Sequence, residues 1–475
     1  LSSSSAASDV YKRQVNGRVS RIAEMKVLRA HYYFELSRLF NKIPYFDENV
    51  EISQYPDIPN NEFTRDEILS MLAKEMLDAA EQLPASQPEV GRIHKYIALA
   101  YAAKIKLYQA YQQDEITHAV TSINKELLRE VVSLCDQVTA SNRYGLLDDF
   151  QGLDLVTNEN GKESVFAIQY SMNDGTESAG RINWSNLLNS PGGGSPYGGD
   201  GFFLPSQDLI NAYQTDANGL PDFNYQSKSD YSWAVLNNGV YTLQNTTPNV
   251  DPRLDFVVGR PTITWKTYPD KPCEGWVRDK DTYGYNCAKR FWVSPESSDM
   301  FNGWPWGASQ LNWQIIRYAD ILLWKAEALI ELNEGNGLET ARDLINQIRN
   351  RARNSAYVKD FNDHSKYAAN YLVNPYPADV WNQDYARQAL RWETRLEKAL
   401  EGERFFDLVR WGIVETTMNK YITAESDNRI YYANAHFTGG KDEYYPVPNN
   451  QYGFSGGKYV PVSYTHLRAH ETSAH

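Results

Sequence analysis

The chain has 475 residues, which is enough to bury a large core as one big domain or about three small ones. Its 42% hydrophobic and 23% charged content is ordinary for a globular protein and excludes a disordered chain. The net charge of −13 argues against nucleic-acid binding, which needs a basic surface, and makes a polyanionic ligand less expected. No apolar run is long enough to span a membrane, so the body is expected to be water-soluble.

Both ends of the chain are set apart from the rest. Residues 1–14 (LSSSSAASDVYKRQ) and 462–475 (VSYTHLRAHETSAH) resemble translated adapter sequence, so we expect them to be non-native. The second segment contains His466 and His470, whose spacing would otherwise suggest a metal pair. The histidines outside it are scattered, so the sequence predicts no metal site and no cofactor.

Residues 15–147 are predicted to form helical hairpins. Met25–Phe40 carries apolar residues at three- and four-residue steps, the pattern of an amphipathic helix. Thr64 followed by Glu67 is a capping box, which predicts a helix from there to about Leu83. Two further helices are predicted at Lys95–Tyr111 and Asn124–Thr139.

Residues 148–313 differ from the helical blocks in composition. Gly, Pro, Asn and Ser are frequent, as in Ser190–Gly201, and β-like runs such as Ser164–Tyr170 are short. Abundant aromatic residues argue against disorder, so this region is predicted to be an ordered, loop-rich lobe. Cys273 and Cys287 flank a loop within it and are candidates for a disulfide in an oxidising compartment, a pairing the sequence leaves open.

Residues 314–461 return to helical patterns. A helix that begins at Gln314, a turn at Asn333–Gly337 and a second helix through Ala341–Ile348 resemble a tetratricopeptide unit with small residues inside. Arg391–Gly412 is a second dense amphipathic pattern. The whole sequence therefore predicts a mostly α protein in which a helical-hairpin scaffold carries a loop-rich, aromatic-rich lobe.

Tryptophan is concentrated in the second half of this lobe. Six of the twelve tryptophans fall between Trp265 and Trp313. We expect most of these rings to be buried and a few to face a ligand, because a lobe with little regular structure needs rings for its own core. The candidate ligand contacts, in decreasing order, are Trp304 and Trp306 in the NGWPWG loop, Trp276 and Tyr283, then Trp184 and Tyr197, with Arg278 and Asn302 as hydrogen-bonding partners.

Paired carboxylates raise the question of catalysis. Glu397, Glu401 and Glu403 precede Arg404 and Asp407 at helical spacing, which favours a structural ion network on a helix surface. The glycines at 192–194 lack the lysine of a phosphate-binding loop, and no serine lies in a nucleophile elbow. The sequence therefore predicts no catalytic residues.

Three segments, LRAHYYFELSRLF, RYADILLWKAEAL and EGERFFDLVRWG, resemble the SusD/RagB family of Bacteroidetes. The resemblance covers most of residues 15–461 and rests on scaffold signatures, so it transfers no binding residue. It implies a non-catalytic protein at the cell surface that binds oligo- or polysaccharide and delivers it to a SusC-like TonB-dependent transporter. It also implies attachment to the outer membrane by an N-terminal lipid anchor, which this chain does not include.

Two other functions remain open at this point. One is an all-α glycoside hydrolase or lyase, which would need two carboxylates converging from separate loops; Asp200, Asp208, Asp279 and Asp281 are the nominees. The other is a helical-repeat subunit that binds only protein or peptide, for which the tryptophan-rich loops would be mere core. The sequence does not identify the ligand.

Overall fold

The computed structural model describes residues 3–40, 42–114, 117–176, 180–184, 187–192, 194–238, 240–266, 275–277, 285–303, 307–422, 454–455 and 458–459. Helices dominate, which confirms the predicted mostly α class. The helices of the scaffold are α1 (Ser3–Leu39), α2 (Arg65–Gln82), α3 (Lys95–Ala110), α4 (Lys125–Thr139), α7 (Tyr318–Leu332), α8 (Gly337–Asn354), α9 (Gln383–Glu397) and α10 (Arg404–Arg410). Between α4 and α7, the described residues include the short α-helices α5 (Gln207–Ala212) and α6 (Arg253–Val257).

The scaffold is a stack of neighbouring helices. α2 packs between α1 and α3, α3 packs on α4, and α4 packs on α7, although more than 170 residues separate these two helices. α7 then contacts both α8 and α9. Alanine lets the central helices approach closely, since α3 buries five alanines along its length. One apolar core therefore continues from α1 through α4 into α7.

Local signals set most helix ends. Thr64 accepts a hydrogen bond from the Glu67 main-chain N–H, and the Glu67 side chain returns the contact, as the capping box predicts. Asn333 ends α7 in the left-handed region at φ 51°, which confirms the predicted turn before α8. Cys135 lies buried in α4, as expected of a small apolar side chain.

The Arg391–Gly412 pattern does not form one helix. α9 ends at Glu397, and α10 begins only at Arg404. Leu400 and Gly402 between them have φ of 67° and 82°, which no right-handed helix contains. Helical spacing across this break therefore does not place Glu397, Glu401 and Asp407 on one helix face.

Short strands organise the rest of the chain. They are β1 (Tyr111–Gln113), β2 (Val120–Ile123), β3 (Ser164–Ile168), β4 (Gln214–Thr215), β5 (Trp233–Asn237), β6 (Val240–Gln244), β7 (Asn249–Val250), β8 (Val258–Gly259), β9 (Cys287–Ala288), β10 (Trp313–Arg317), β11 (Asn370–Tyr371), β12 (Phe454–Ser455) and β13 (Lys458–Tyr459). β3 pairs antiparallel with β10, so the chain enters and leaves the loop-rich lobe side by side. The lobe also contacts the helical stack elsewhere, since Arg253 in the lobe pairs with Glu393 and Glu397 of α9.

Candidate functional site

The interior of the lobe contains an aromatic core made of Tyr197, Trp265, Trp276 and Trp292. The rings of Trp265 and Trp276 meet edge to face, with centroids 4.9 Å apart. The Tyr197 hydroxyl accepts a hydrogen bond from Trp265 Nε1 at 2.9 Å and donates one to the Val293 carbonyl oxygen at 2.6 Å. The polar atoms of these two rings are thus used inside the protein.

This core corrects two of the predicted ligand contacts. Tyr197 is 0% exposed and Trp276 is 4% exposed, so neither ring presents a face to a ligand. Gly259 shows how tightly the core is packed, because a Cβ there would lie 2.3 Å from the Trp265 ring. Each aromatic ring buries a large apolar surface, so in this part of the lobe the tryptophans form the core instead of facing a ligand.

Four large apolar side chains are exposed in the glycine-rich half of the lobe, three of them aromatic, and together they are called the exposed aromatic patch: Trp184, Leu188, Phe202 and Phe203. Their exposed fractions are 52%, 54%, 72% and 37%, which is unusual for large apolar side chains. The Phe202 N–H donates to the Leu188 carbonyl oxygen at 3.1 Å, which brings the two segments together. Trp184 was among the predicted contacts, whereas Phe202 and Phe203 were not.

Glycine makes the close packing behind this patch possible. The Gly201 N–H donates to the Ser190 carbonyl oxygen, and a Cβ on Gly199 would lie 1.7 Å from Ser190 Oγ. Only glycine lets the two backbone segments approach so closely. The glycine-rich sequence thus provides a rigid base for the exposed rings.

The NGWPWG loop adjoins the same region. The Phe301 N–H donates to the Ala308 carbonyl oxygen at 2.8 Å and closes the loop, while the Asn183 N–H donates to the Ser309 carbonyl oxygen at 2.9 Å. The second bond ties this loop to the residue before Trp184. Asn302 is exposed, as its predicted role requires. Trp304 and Trp306, together with Arg278 and Tyr283, lie outside the described residues.

A large cavity opens where the start of the lobe meets the segment 289–299. It has a volume of about 1010 Å³ and is lined by two short 3₁₀ helices, Phe150–Asp154 and Val156–Asn158, and by the segment 289–299. At its wall, Asp154 accepts hydrogen bonds from Lys266 Nζ at 2.9 Å and Arg290 Nε at 3.0 Å. Burial raises the pKa of the Asp154 carboxyl, but these two cations outweigh burial and hold it below its usual value. No sequence pattern predicted this cavity.

Glu159 ties the start of the lobe to its end. Its carboxylate accepts a hydrogen bond from the Asn312 N–H at 2.5 Å. Burial raises the pKa of Glu159 to about 7; the Asn312 hydrogen bond opposes that shift and nearby Asp299 adds to it. The folded state therefore keeps a proton that the unfolded state loses above its ordinary pKa of 4.5.

We expect Glu159→Gln to make thermal stability less dependent on pH. The wild type should lose stability between about pH 4.5 and 7, because unfolding then releases a proton. The glutamine keeps the acceptor for Asn312 and does not titrate. The melting temperature of the variant minus that of the wild type should therefore increase by about 1–3 °C between pH 4.5 and pH 8. Glu159→Ala, which loses the acceptor, should be less stable at both pH values. Parallel wild-type and glutamine curves would contradict this interpretation.

The carboxylates considered for catalysis are engaged within the protein. Glu397 is fully buried and accepts hydrogen bonds from Arg253, Arg317 and Arg351. The helical spacing predicts an ion network on a helix surface, but the network around Glu397 is buried. The reason is that α9 packs beneath the lobe. Asp208 pairs with Arg395 at 2.6 Å and accepts from the Tyr225 hydroxyl.

The remaining nominees give little further information. Asp279 and Asp281 lie outside the described residues, as does Cys273, the candidate partner of Cys287. Cys287 itself is a free, buried cysteine. Within the described ranges, no group of three or more His, Cys, Asp or Glu side chains is placed to hold a metal ion. No helix there is long and apolar enough to cross a membrane.

The described residues thus form a stack of helices that carries a loop-rich lobe with exposed aromatic rings. The family model described as the SusD family matches residues 162–467, more than half of the chain. This chain belongs to the SusD/RagB family, as the three scaffold segments had indicated.

Individual relatives agree with this assignment. A SusD-like protein of Bacteroides ovatus is 22% identical over 409 residues, which cover 82% of this chain and 58% of that protein. SusD-like protein P2 of Formosa agariphila is 25% identical over 393 residues, covering 82% and 64%. The chain thus spans about three fifths of the length of these relatives.

A solved structure supports the fold. The crystal structure of a SusD-like carbohydrate binding protein from Bacteroides fragilis aligns with a TM-score of 0.60 and 22% identity. The alignment covers 85% of this chain and 69% of that one. At this identity the likeness establishes the shared fold.

Proposed function

We propose that this protein binds oligo- or polysaccharide at the cell surface without catalysing its cleavage. It delivers the glycan to a SusC-like TonB-dependent transporter of the outer membrane, to which a lipid anchor attaches it. The observation that carries the proposal is the exposed aromatic patch of the lobe, held on a rigid glycine-rich base. The family and the carbohydrate-binding relative from Bacteroides fragilis support the choice of ligand.

The chemistry of the patch suits a sugar. A sugar ring has an apolar face of C–H groups and a rim of hydroxyls, so an aromatic ring covers its face while amides bond its rim. Trp184 and Phe202 supply exposed rings, and Asn302 in the NGWPWG loop supplies an exposed amide. Such contacts give modest affinity, which suits a protein that must release its ligand to a transporter.

Non-catalytic binding is favoured over hydrolysis by the state of the carboxylates. Among the described residues, Glu397 and Asp208 are both committed to arginine partners and are not free to act as acid or base. A pair of glycosidase carboxyls would have to flank the bound sugar in an open cleft. The aromatic patch, in contrast, is accessible as it stands.

Affinity electrophoresis against starch, laminarin, xylan and mannan tests the proposal, with reducing ends assayed in the same samples. Retardation by one glycan without new reducing ends is the expected result and would identify the ligand class. New reducing ends would favour the glycoside hydrolase or lyase. Failure of every glycan, including host N-glycans, to bind would favour a protein or peptide ligand.

A further inference from the structure

The cavity beside Asp154 has no part in the stacking site described above, yet its size fits a ligand. Its volume of about 1010 Å³ lies at the upper end of the range found for small-molecule sites. Phe150 and Phe256 contribute to its lining, but both rings are buried and stack on each other, with centroids 5.8 Å apart. A ligand here would therefore be held by hydrogen bonds rather than by ring faces.

The cations of the cavity wall already have partners within the protein. Lys266 and Arg290 share the carboxylate of Asp154, and Lys289 Nζ donates to two main-chain carbonyl oxygens at 2.6 and 3.2 Å. Exposed Lys162 pairs with a neighbouring aspartate at 2.9 Å. No cluster of unpaired cations among the described lining residues awaits a phosphate or carboxylate, which argues against an anionic ligand.

The other polar groups around the cavity are both donors and acceptors. Exposed Thr157 carries a hydroxyl and exposed Glu296 carries a carboxylate acceptor. The Ser297 hydroxyl donates to Asp299 at 2.9 Å and the Gln151 amide donates to the Ala356 carbonyl oxygen at 2.8 Å, so these two lining groups are partly used within the protein. Each hydroxyl of a sugar also donates one hydrogen bond and accepts others. A mixed lining of this kind fits an uncharged, polyhydroxylated ligand.

The cavity and the aromatic patch are joined by one stretch of chain. Asp299 lines the cavity, and the next residue, Met300, pairs with Ser309, whose carbonyl oxygen accepts a hydrogen bond from the N–H of Asn183, the residue before Trp184. Exposed Asn302 lies three residues beyond Asp299. Their Cα atoms are therefore at most about 11 Å apart. Gln310 donates to Asp299 at 2.7 Å, and the paired residues Met300 and Ser309 hold this stretch in place.

We propose that the cavity is a hydrogen-bonding subsite for the end of an uncharged oligosaccharide whose following sugar units lie on the aromatic patch. The proposal rests on the proposed function and extends it from glycan binding to recognition of chain ends. In this arrangement the aromatic patch stacks on the sugar chain, while the cavity forms hydrogen bonds with the hydroxyls of its terminal unit.

Thr157→Trp is the variant that tests the cavity. Thr157 is exposed at the lining, so a tryptophan there can occupy the cavity without disturbing the core. Thr121→Trp places the same change on an exposed position of β2 in the scaffold and serves as the matched control. Both are titrated by calorimetry with maltotriose, laminaritriose, xylotriose and mannotriose, and tested for retardation by the parent polysaccharides.

The expected result is at least a tenfold loss of affinity of Thr157→Trp for the trisaccharide that the wild type binds, with polysaccharide retardation retained. Thr121→Trp should match the wild type. Glu296→Ala, which removes an exposed acceptor and cannot disturb packing, should weaken the trisaccharide about threefold. Melting temperatures within about 2 °C of wild type would establish that the variants fold.

Each other outcome overturns the subsite. If Thr157→Trp and Glu296→Ala bind the trisaccharide like the wild type, the cavity is not the subsite, although the proposed function stands. If the wild type binds a polysaccharide but no trisaccharide, chain ends are not recognised; the cavity is again not the subsite, and the proposed function again stands. If the wild type binds no glycan at all, the proposed function fails and the subsite with it.

Discussion

Glu397→Ala is expected to lower the free energy of unfolding by about 3–5 kcal/mol. Glu397 lies at the end of α9 with no exposed surface, between the guanidinium groups of Arg253, Arg317 and Arg351. Removal of its carboxylate leaves buried positive charge that the remaining acidic partners compensate only in part. Chemical denaturation at pH 7 measures the loss.

The matched control is Asp78→Asn, which breaks the exposed ion pair between Lys74 and Asp78 on α2. That pair is open to solvent on both sides, so its loss should change stability by less than about 1 kcal/mol. If Glu397→Ala cost no more than this control, the buried network would not hold the lobe to the scaffold.

The same carboxylate predicts how the wild type responds to acid. Burial raises the pKa of Glu397, but Arg351, Arg317 and Arg253 outweigh burial and hold it at about 2, against an ordinary value of 4.5. The stability that this group contributes is therefore present above about pH 4.5 and is lost as the pH falls towards 2. Glu397→Gln should lack that part of the acid dependence.

Trp184→Ala and Phe202→Ala are each expected to weaken glycan binding about tenfold, which corresponds to ~1.4 kcal/mol. Both rings are more than half exposed, so truncation removes a stacking surface and leaves the core intact. Affinity electrophoresis with the glycan that the wild type binds measures the loss. Melting temperatures should stay within about 2 °C of wild type.

Phe405→Ala supplies the control for this pair. Phe405 is an exposed ring of the same kind, but it lies on α10 of the scaffold. The Phe405→Ala variant should bind the glycan with the affinity of the wild type. Equal binding by all three variants would remove the exposed aromatic patch as the binding surface, and unfolding of Trp184→Ala would mean that its ring is structural after all.

The sequence was a good guide to the scaffold because helices carry a periodic signal. The capping box at Thr64 and the turn at Asn333 both lie where local chemistry places them. The break at Leu400 and Gly402 was missed because the amphipathic pattern runs through it, and only the glycine hinted at a left-handed backbone.

The lobe was harder to predict because its contacts are long-range. The hydrogen bond from Trp265 to the Tyr197 hydroxyl joins residues far apart in the sequence, and no pattern near Tyr197 indicates it. From its glycine-rich loop alone, Tyr197 is predicted to contact a ligand. Phe202 and Phe203 follow directly on that glycine-rich stretch, which was the one available signal for them. The cavity, formed by segments more than 130 residues apart, had no local signal at all.

The pairing of β3 with β10 has a consequence for evolution. Because the two strands lie side by side, the lobe is an insertion whose ends are fixed on one short ladder. Arg317, the last residue of β10, strengthens this base because its guanidinium donates to Glu163, the residue directly before β3. Lengthening an exposed loop between them costs little closure entropy, provided that the residues bonded to α9, such as Arg253 and Asp208, are kept. Exposed loops of the lobe can thus change one at a time and alter ligand specificity, while the helical scaffold and its contacts maintain the stability of the fold.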